Sequence, residues 1–157
     1  MNQSDIVCKS LIACEKTSLD PQSKLLSLTN LLDRIFVTVG ADEVGQVGTT
    51  YKQIRLPLEL VVFWERGTAV GEVVKQFKVH FADPSGKMIF DHVTSDVKMR
   101  AETRKFYSLI KLGGLPCAQS GRHAFQVYIN DGSSDVKLLE EYIDIVMVDE
   151  RGVPLQQ

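Results

Sequence analysis

The residues of this chain best suited to acid–base, nucleophilic or metal chemistry are His80, His92, His123, Cys8, Cys14 and Cys117. No two histidines stand at i,i+2 or i,i+4, so none form a local metal pair. A catalytic histidine needs an orienting carboxylate and a nucleophile, and the G-x-S-x-G turn that presents a serine in one class of hydrolases is missing. His80 shares the polar side of its segment with Gln76 and Lys78 and reads as an exposed histidine. The cysteines are odd in number and contain no C-x-x-C, which signals neither a disulfide framework nor a zinc site. Cys8 and Cys14 fall in one predicted strand, roughly 20 Å apart at ~3.3 Å per residue, too far for a disulfide. All three read as small buried hydrophobes of a reducing, cytoplasmic setting.

Four further clusters could carry function. Gly40, Gly45 and Gly48 punctuate a polar stretch, but no G-x-G-x-x-G and no Gly-Lys-Ser/Thr occurs, so a surface loop is expected rather than a phosphate cradle. Asn130-Asp131-Gly132-Ser133-Ser134-Asp135 sets oxygen atoms at loop spacing, yet it lacks the ligand repeat and terminal Glu of a calcium hand. Turn chemistry accounts for it. Lys98, Arg100, Arg104 and Lys105 form a basic concentration, followed directly by Phe106 and Tyr107. Basic residues beside aromatics suit single-stranded nucleic acid, but Asp96 and Glu102 interrupt the run. Glu140, Glu141 and Asp144, with Asp149 and Glu150, are the acidic counterpart, so mutual pairing, within or between subunits, or a plain solvated face is the better reading, and the two clusters are the candidate interaction surface. The fourth is Asp33-Arg34, set between Leu31-Leu32 and Ile35-Phe36, and it reads as a structural ion pair or cap at a strand end.

The composition frames these clusters. The chain has 157 residues, 44% hydrophobic and 24% charged, with 18 Lys+Arg against 20 Asp+Glu. The length suits one domain with a self-sufficient core. A net charge of −2 argues against nucleic acid as partner. The longest apolar run, Leu60 to Trp64, is far short of the ~20 residues of a membrane helix. The opening residues lack a basic n-region and an apolar h-region, so no signal peptide is expected.

The elements that must position these side chains repeat with period two. Leu56, Leu58, Leu60, Val62 and Trp64 share one face of an extended segment. Val73, Phe77, Val79 and Phe81 alternate with polar residues, as do Phe125, Val127 and Ile129. That is the pattern of half-buried antiparallel strands. Asp20-Pro21, Asp83-Pro84-Ser85-Gly86 and Asn130-Asp131-Gly132 supply reversals. Strands are expected near Ile6–Lys16, Lys24–Val37, Leu56–Glu65, Glu72–Ala82, Lys87–His92, Arg104–Leu112, His123–Asn130 and Val136–Val148. Thr38–Thr50 is expected as a long loop and Asp96–Arg104 as a loop or short helical turn, with a helical alternative for Leu138–Glu141. The last strand is apolar on both faces, which predicts either a central strand covered twice or a subunit interface. About eight strands make an antiparallel β-sandwich of immunoglobulin-like or related topology. It forms a single domain with its core over about residues 5–149 and a short tail at 150–157.

A set of short motifs carries a resemblance. In order they are Leu25-Leu26-Ser27-Leu28-Thr29-Asn30-Leu31-Leu32-Asp33-Arg34-Ile35-Phe36, Leu56-Pro57-Leu58-Glu59-Leu60, Asp83-Pro84-Ser85-Gly86-Lys87, Leu112-Gly113-Gly114-Leu115-Pro116, and Gly121 to Gly132. The chain resembles a family of small uncharacterised bacterial β-sandwich proteins, classed as a domain of unknown function. It departs from the family where Thr29-Asn30 stands in place of an expected Gly, and in the length of the Thr38–Thr50 loop. The resemblance implies a cytoplasmic, single-domain sandwich and carries no activity.

The expectation is therefore a non-enzymatic interaction or structural module without a cofactor, associating with itself or with another protein. The alternative is a small-ligand or carbohydrate-binding sandwich that uses Trp64, Tyr51, Tyr107, Tyr128 and Tyr142 as stacking faces.

Overall fold

The computed structural model describes residues 5–156, apart from the side chains of residues 92–95. His92 therefore lies outside the described side chains. The alternating segments form eleven strands rather than eight. Sheet A is ordered β2-β1-β5-β8, built from β1 (Ile6–Leu19), β2 (Leu26–Leu31), β5 (Leu58–Arg66) and β8 (Lys105–Leu112). Sheet B is ordered β3-β11-β10-β6-β7, built from β3 (Arg34–Thr38), β6 (Val73–Ala82), β7 (Met88–Met99), β10 (Gly121–Asn130) and β11 (Asp135–Val148). A two-stranded ribbon of β4 (Lys52–Ile54) and β9 (Leu115–Cys117) completes the strands. All pairings are antiparallel except β3 with β11.

The core lies between the sheets and takes one side of each strand. Leu58, Leu60, Val62 and Trp64 enter it from β5, Phe77, Val79 and Phe81 from β6, and Phe125, Val127 and Ile129 from β10. Trp64 meets Phe77 edge-on at 5.1 Å between centroids and donates its indole N–H to Ser108 Oγ at 3.0 Å, so its one polar atom is satisfied inside.

Two expectations are corrected here, and one alternative is set aside. Lys24–Val37 is not one strand. Asn30 sits at φ 52 and the hydrogen-bond ladder of β2 stops at Leu31, after which the chain crosses to sheet B and restarts at Arg34. Apolar alternation survives the crossing, which hides the break. Asp96–Arg104 is not loop throughout, because β7 runs on to Met99 and buries Val97 and Met99. Leu138–Glu141 is strand within β11, paired to β10. β11 is an inner strand flanked by β3 and β10, but its outward face is not covered twice, since Tyr142 is exposed.

Aspartates hold the turns. Asp83 Oδ1 accepts the backbone N–H groups of Ser85 and Lys87 at 2.9 and 3.0 Å. Asp131 Oδ1 accepts those of Ser133 and Ser134 at 2.9 and 3.0 Å, and these bonds bring its carboxyl down to about 2. The oxygen cluster at Asn130–Asp135 is thus engaged by its own backbone. Thr38 closes β3, and the rest of the expected Thr38–Thr50 loop is loop with one 3-10 turn at Val44–Gln46. The tail folds back, with Pro154 bridged to Val148 and Leu155 N–H donating to Met147 O at 2.9 Å. No helix among the described residues is long and apolar enough to cross a membrane.

Candidate functional site

The outer face of sheet A is built by register. Every second residue of its strands points away from the core, and pairing aligns these residues in rows across the sheet. One row holds Leu31, Cys14, Glu59 and Lys111. The next holds Ile12, Val61 and Leu109, the third Ser10, Phe63 and Tyr107, and the fourth Val7, Glu65 and Lys105. The two middle rows are thus almost wholly apolar. Leu31 is 63% exposed, Leu109 42% and Val7 40%. Val61 and Cys14 have 0% exposure yet stand outside the core between the sheets. Their larger neighbours close over them, so the face carries a small apolar cluster of its own.

Charged residues bound this cluster at both ends. Glu59 accepts the Thr17 N–H at 2.7 Å and the Thr17 hydroxyl, and lies 3.7 Å from Lys111 Nζ. The Thr17 hydroxyl leads in holding its carboxyl below the usual range. Glu65 lies 3.6 Å from Lys9 Nζ.

The outer face of sheet B is rich in charged and polar residues, with exposed Phe36 beside Val146 at its β3 edge. Asp144 stands between Arg34 and Arg122, 3.8 Å from each. The Arg122 guanidinium lies 5.2 Å over the Tyr142 ring. Glu140 accepts from Gln126 Nε2 at 2.6 Å, from Lys137 and from the Tyr142 hydroxyl. Farther across, His80 stacks on Tyr128 at 4.5 Å and lies 3.2 Å from Asp91. His80 is therefore half-buried rather than exposed, because Tyr128 on the paired strand covers it.

The sequence-picked residues separate accordingly. Asp33, Arg34, Glu141 and Asp144 gather where β3 lies along β11. Asp144 N–H donates to Asp33 O at 2.9 Å, and Asp33 and Glu141 both line a shallow cavity of about 200 Å³. Lys98, Arg100, Arg104 and Lys105 follow the crossing from β7 to β8. Lys98 pairs with Glu72 at 3.8 Å, Glu140 with Lys137 and Asp144 with Arg34 and Arg122, so no described ion pair joins the basic cluster to the acidic one. Among the aromatic candidates, Trp64 is corrected: it is 1% exposed and offers no stacking face, because its side of β5 is the core side. Tyr51 is exposed and lines a cavity of about 190 Å³ with Glu43, Lys52, Ala118 and Met147.

Sequence reasoning passed over one buried group. His123 is fully buried, parallel to Phe81 at 5.3 Å between ring centroids. Its Nδ1 lies 3.0 Å from Gly121 O, which can only accept, so Nδ1 carries the proton and Nε2 faces Cys117 Sγ at 3.8 Å. The Cys117 thiol lies 3.1 Å from Gln119 O and donates there. The signal was available: His123 has the parity of Phe125, Val127 and Ile129. Burial works against a thiolate–imidazolium pair here. Burial raises the Cys117 thiol, as it raises Cys14 and pushes Cys8 up to about 12, and a thiolate is the reactive form.

Burial lowers the His123 imidazole below its ordinary value, against a smaller opposing pull from the Gly121 carbonyl and Asp83. The unfolded chain therefore takes up a proton near pH 6.5 that the native state refuses. Stability is full above about pH 6.5 and falls as the pH drops toward the native value, by up to about 1.4 kcal/mol per pH unit. Urea midpoints measured down to about pH 5.5 are expected to fall in the wild type and to stay flatter in His123→Leu. Equal slopes would remove His123 from the effect.

No protein-family model matches the chain, and no curated protein does. A solved structure described as an immunoglobulin-like protein (PA1606) from Pseudomonas aeruginosa aligns over 92% of this chain and 99% of its own, at 9% identity and a TM-score of 0.36. The fold class rests on the strand plan itself. A sheet with β1-β5-β8 faces one with β6-β10-β11, β7 extends the second sheet, and β3 lies along the last strand. The chain is an immunoglobulin-like β-sandwich.

Proposed function

We propose that this chain is a non-enzymatic interaction module that associates with itself. The observation that carries the reading is the apolar band on the outer face of sheet A, where half-buried Ile12, Phe63 and Tyr107 and exposed Leu109 lie around the covered Val61. An antiparallel sheet with one face on the core ordinarily presents polar residues on the other. Contiguous exposed apolar surface with a polar rim is the usual mark of a docking surface. The groups best suited to chemistry support the same reading, since Cys8, Cys14, Cys117 and His123 are all buried. Three free cysteines suit a cytoplasmic location, and the resemblance to an uncharacterised bacterial family fits a binding role without an active site.

Sedimentation velocity over a concentration series tests this. The wild-type sedimentation coefficient should rise with concentration, and that of Leu109→Asp should stay constant. Leu109 is partly exposed, so the substitution is expected to cost the fold about 1 kcal/mol. A wild type that remains monomeric throughout would end the reading.

A further inference from the structure

We propose that two copies of this chain dock sheet A against sheet A, about a two-fold axis that runs along the strands between β5 and β8. The inference rests on the self-association just described and specifies its geometry.

The argument comes from where the charges lie. β5 carries a glutamate at each end of the apolar band, Glu59 and Glu65. β8 carries a lysine opposite each, Lys111 and Lys105. Two faces of one protein can meet about a two-fold in the interface plane, and the interface is then self-complementary. An axis along the strands exchanges β5 with β8. It brings Glu59 to Lys111 of the second copy and Glu65 to Lys105, while Phe63 meets Tyr107 and Leu109 packs on the side chains that cover Val61. An axis across the strands reverses the order of the rows instead. It brings Glu59 to Glu65 and Lys105 to Lys111, four like-charge encounters in one interface. The chain therefore favours the first arrangement and rejects the second. Packed sheets sit about 10 Å apart with strands within about 30° of one another, so long Glu and Lys side chains still meet with the same signs.

The apolar rows supply attraction, and the charged rows set register and orientation. β8 is the edge strand, so with the axis between β5 and β8 only these two strands face their counterparts. Two strands at ~4.8 Å by four rows at ~6.8 Å give a contact of roughly 10 Å by 27 Å, so two copies bury on the order of 500 Å², the size of a weak, transient contact. A dimer that forms only toward millimolar concentration is expected.

Glu65 and Lys105 provide the test because Glu65 is half-buried at the rim, Lys105 is exposed there, and neither enters the core. Glu65→Lys sets lysine against Lys105 of its partner twice over. Lys105→Glu sets glutamate against Glu65 twice over. An equimolar mixture restores opposite charges at both contacts. Sedimentation equilibrium is expected to show each variant dimerising at least about tenfold more weakly than wild type, and the mixture recovering wild-type affinity. Far-UV circular dichroism and melting temperature confirm that each variant is folded. If both variants dimerise like wild type, this face is not the contact, although self-association stands. If the mixture associates no better than either variant alone, the two-fold geometry is wrong. A wild type that is monomeric at millimolar concentration overturns both the geometry and the self-association, and leaves the face to a different protein.

Discussion

Arg66→Ala is expected to destabilise the fold by about 3 kcal/mol and to lower the melting temperature by about 10 °C. Arg66 closes the end of β5 with bonds to five backbone carbonyls. Its Nε donates to Thr103 O at 2.9 Å, and Nη1 to Ala69 O and Gly71 O at 3.0 and 2.8 Å. Its Nη2 donates to Arg100 O at 2.5 Å and reaches Met99 O at 3.5 Å. These carbonyls belong to the loop before β6 and to the crossing from β7 to β8. One guanidinium thus ties two connections to the strand end. Removing it leaves partly buried acceptors without donors, which costs more than the bonds themselves contribute. Arg66→Lys is expected to recover only part of the loss, because an ammonium cannot reach acceptors spread around a planar fork. Thermal and urea unfolding of the three proteins measures this, and an Arg66→Ala midpoint equal to wild type would remove the tie.

Gly114→Ala is expected to cost at least about 3 kcal/mol. Gly114 has φ +152, and a Cβ there would stand 2.2 Å from Ile54 O and 2.7 Å from Gln53 Nε2. The glutamine can swing away. The carbonyl belongs to β4, where Ile54 is paired with Leu115, and cannot move without opening the ribbon. That ribbon holds Cys117, the residue facing His123, so the damage passes into the core. Gly113→Ala is the matched control, because its added Cβ meets nothing within 4 Å. Urea unfolding should separate the neighbouring substitutions clearly, and equal midpoints would show that β4 gives way without cost.

Neither residue stands out in the sequence. Arg66 lies in Glu65-Arg66-Gly67, which looks like an ordinary turn, and its acceptors come from positions that only the fold brings near. Gly114 is one of a Gly-Gly pair, and nothing local distinguishes it from Gly113. The core faces of β5, β6 and β10 were legible, since a half-buried strand writes its burial into every second residue. The crossing at Leu32–Asp33 was not, because both sides of it carry leucines and isoleucine at strand spacing. The outer face of sheet A was half legible: Val61 and Phe63 already break the alternation of β5, but only register shows that Ile12 and Leu109 complete a row with Val61. The charged clusters were visible as runs. Their separation was not, since it depends on β11 and the β7–β8 crossing lying in different parts of the sandwich.

The parallel pairing of β3 with β11 also sets a timetable for synthesis. β3 leaves the ribosome long before β11, the strand against which it must lie. Until then Ile35 and Val37 have no sheet to join, and the growing chain carries an apolar ribbon with both edges open. Such late, long-range closure is slow and exposes the nascent protein to wrong partners. The arrival of β11 is therefore the step that licenses the fold. A chain shortened before Asp144 would lose more than a strand: it would keep, permanently, the unfinished surface that every complete copy shows only in passing.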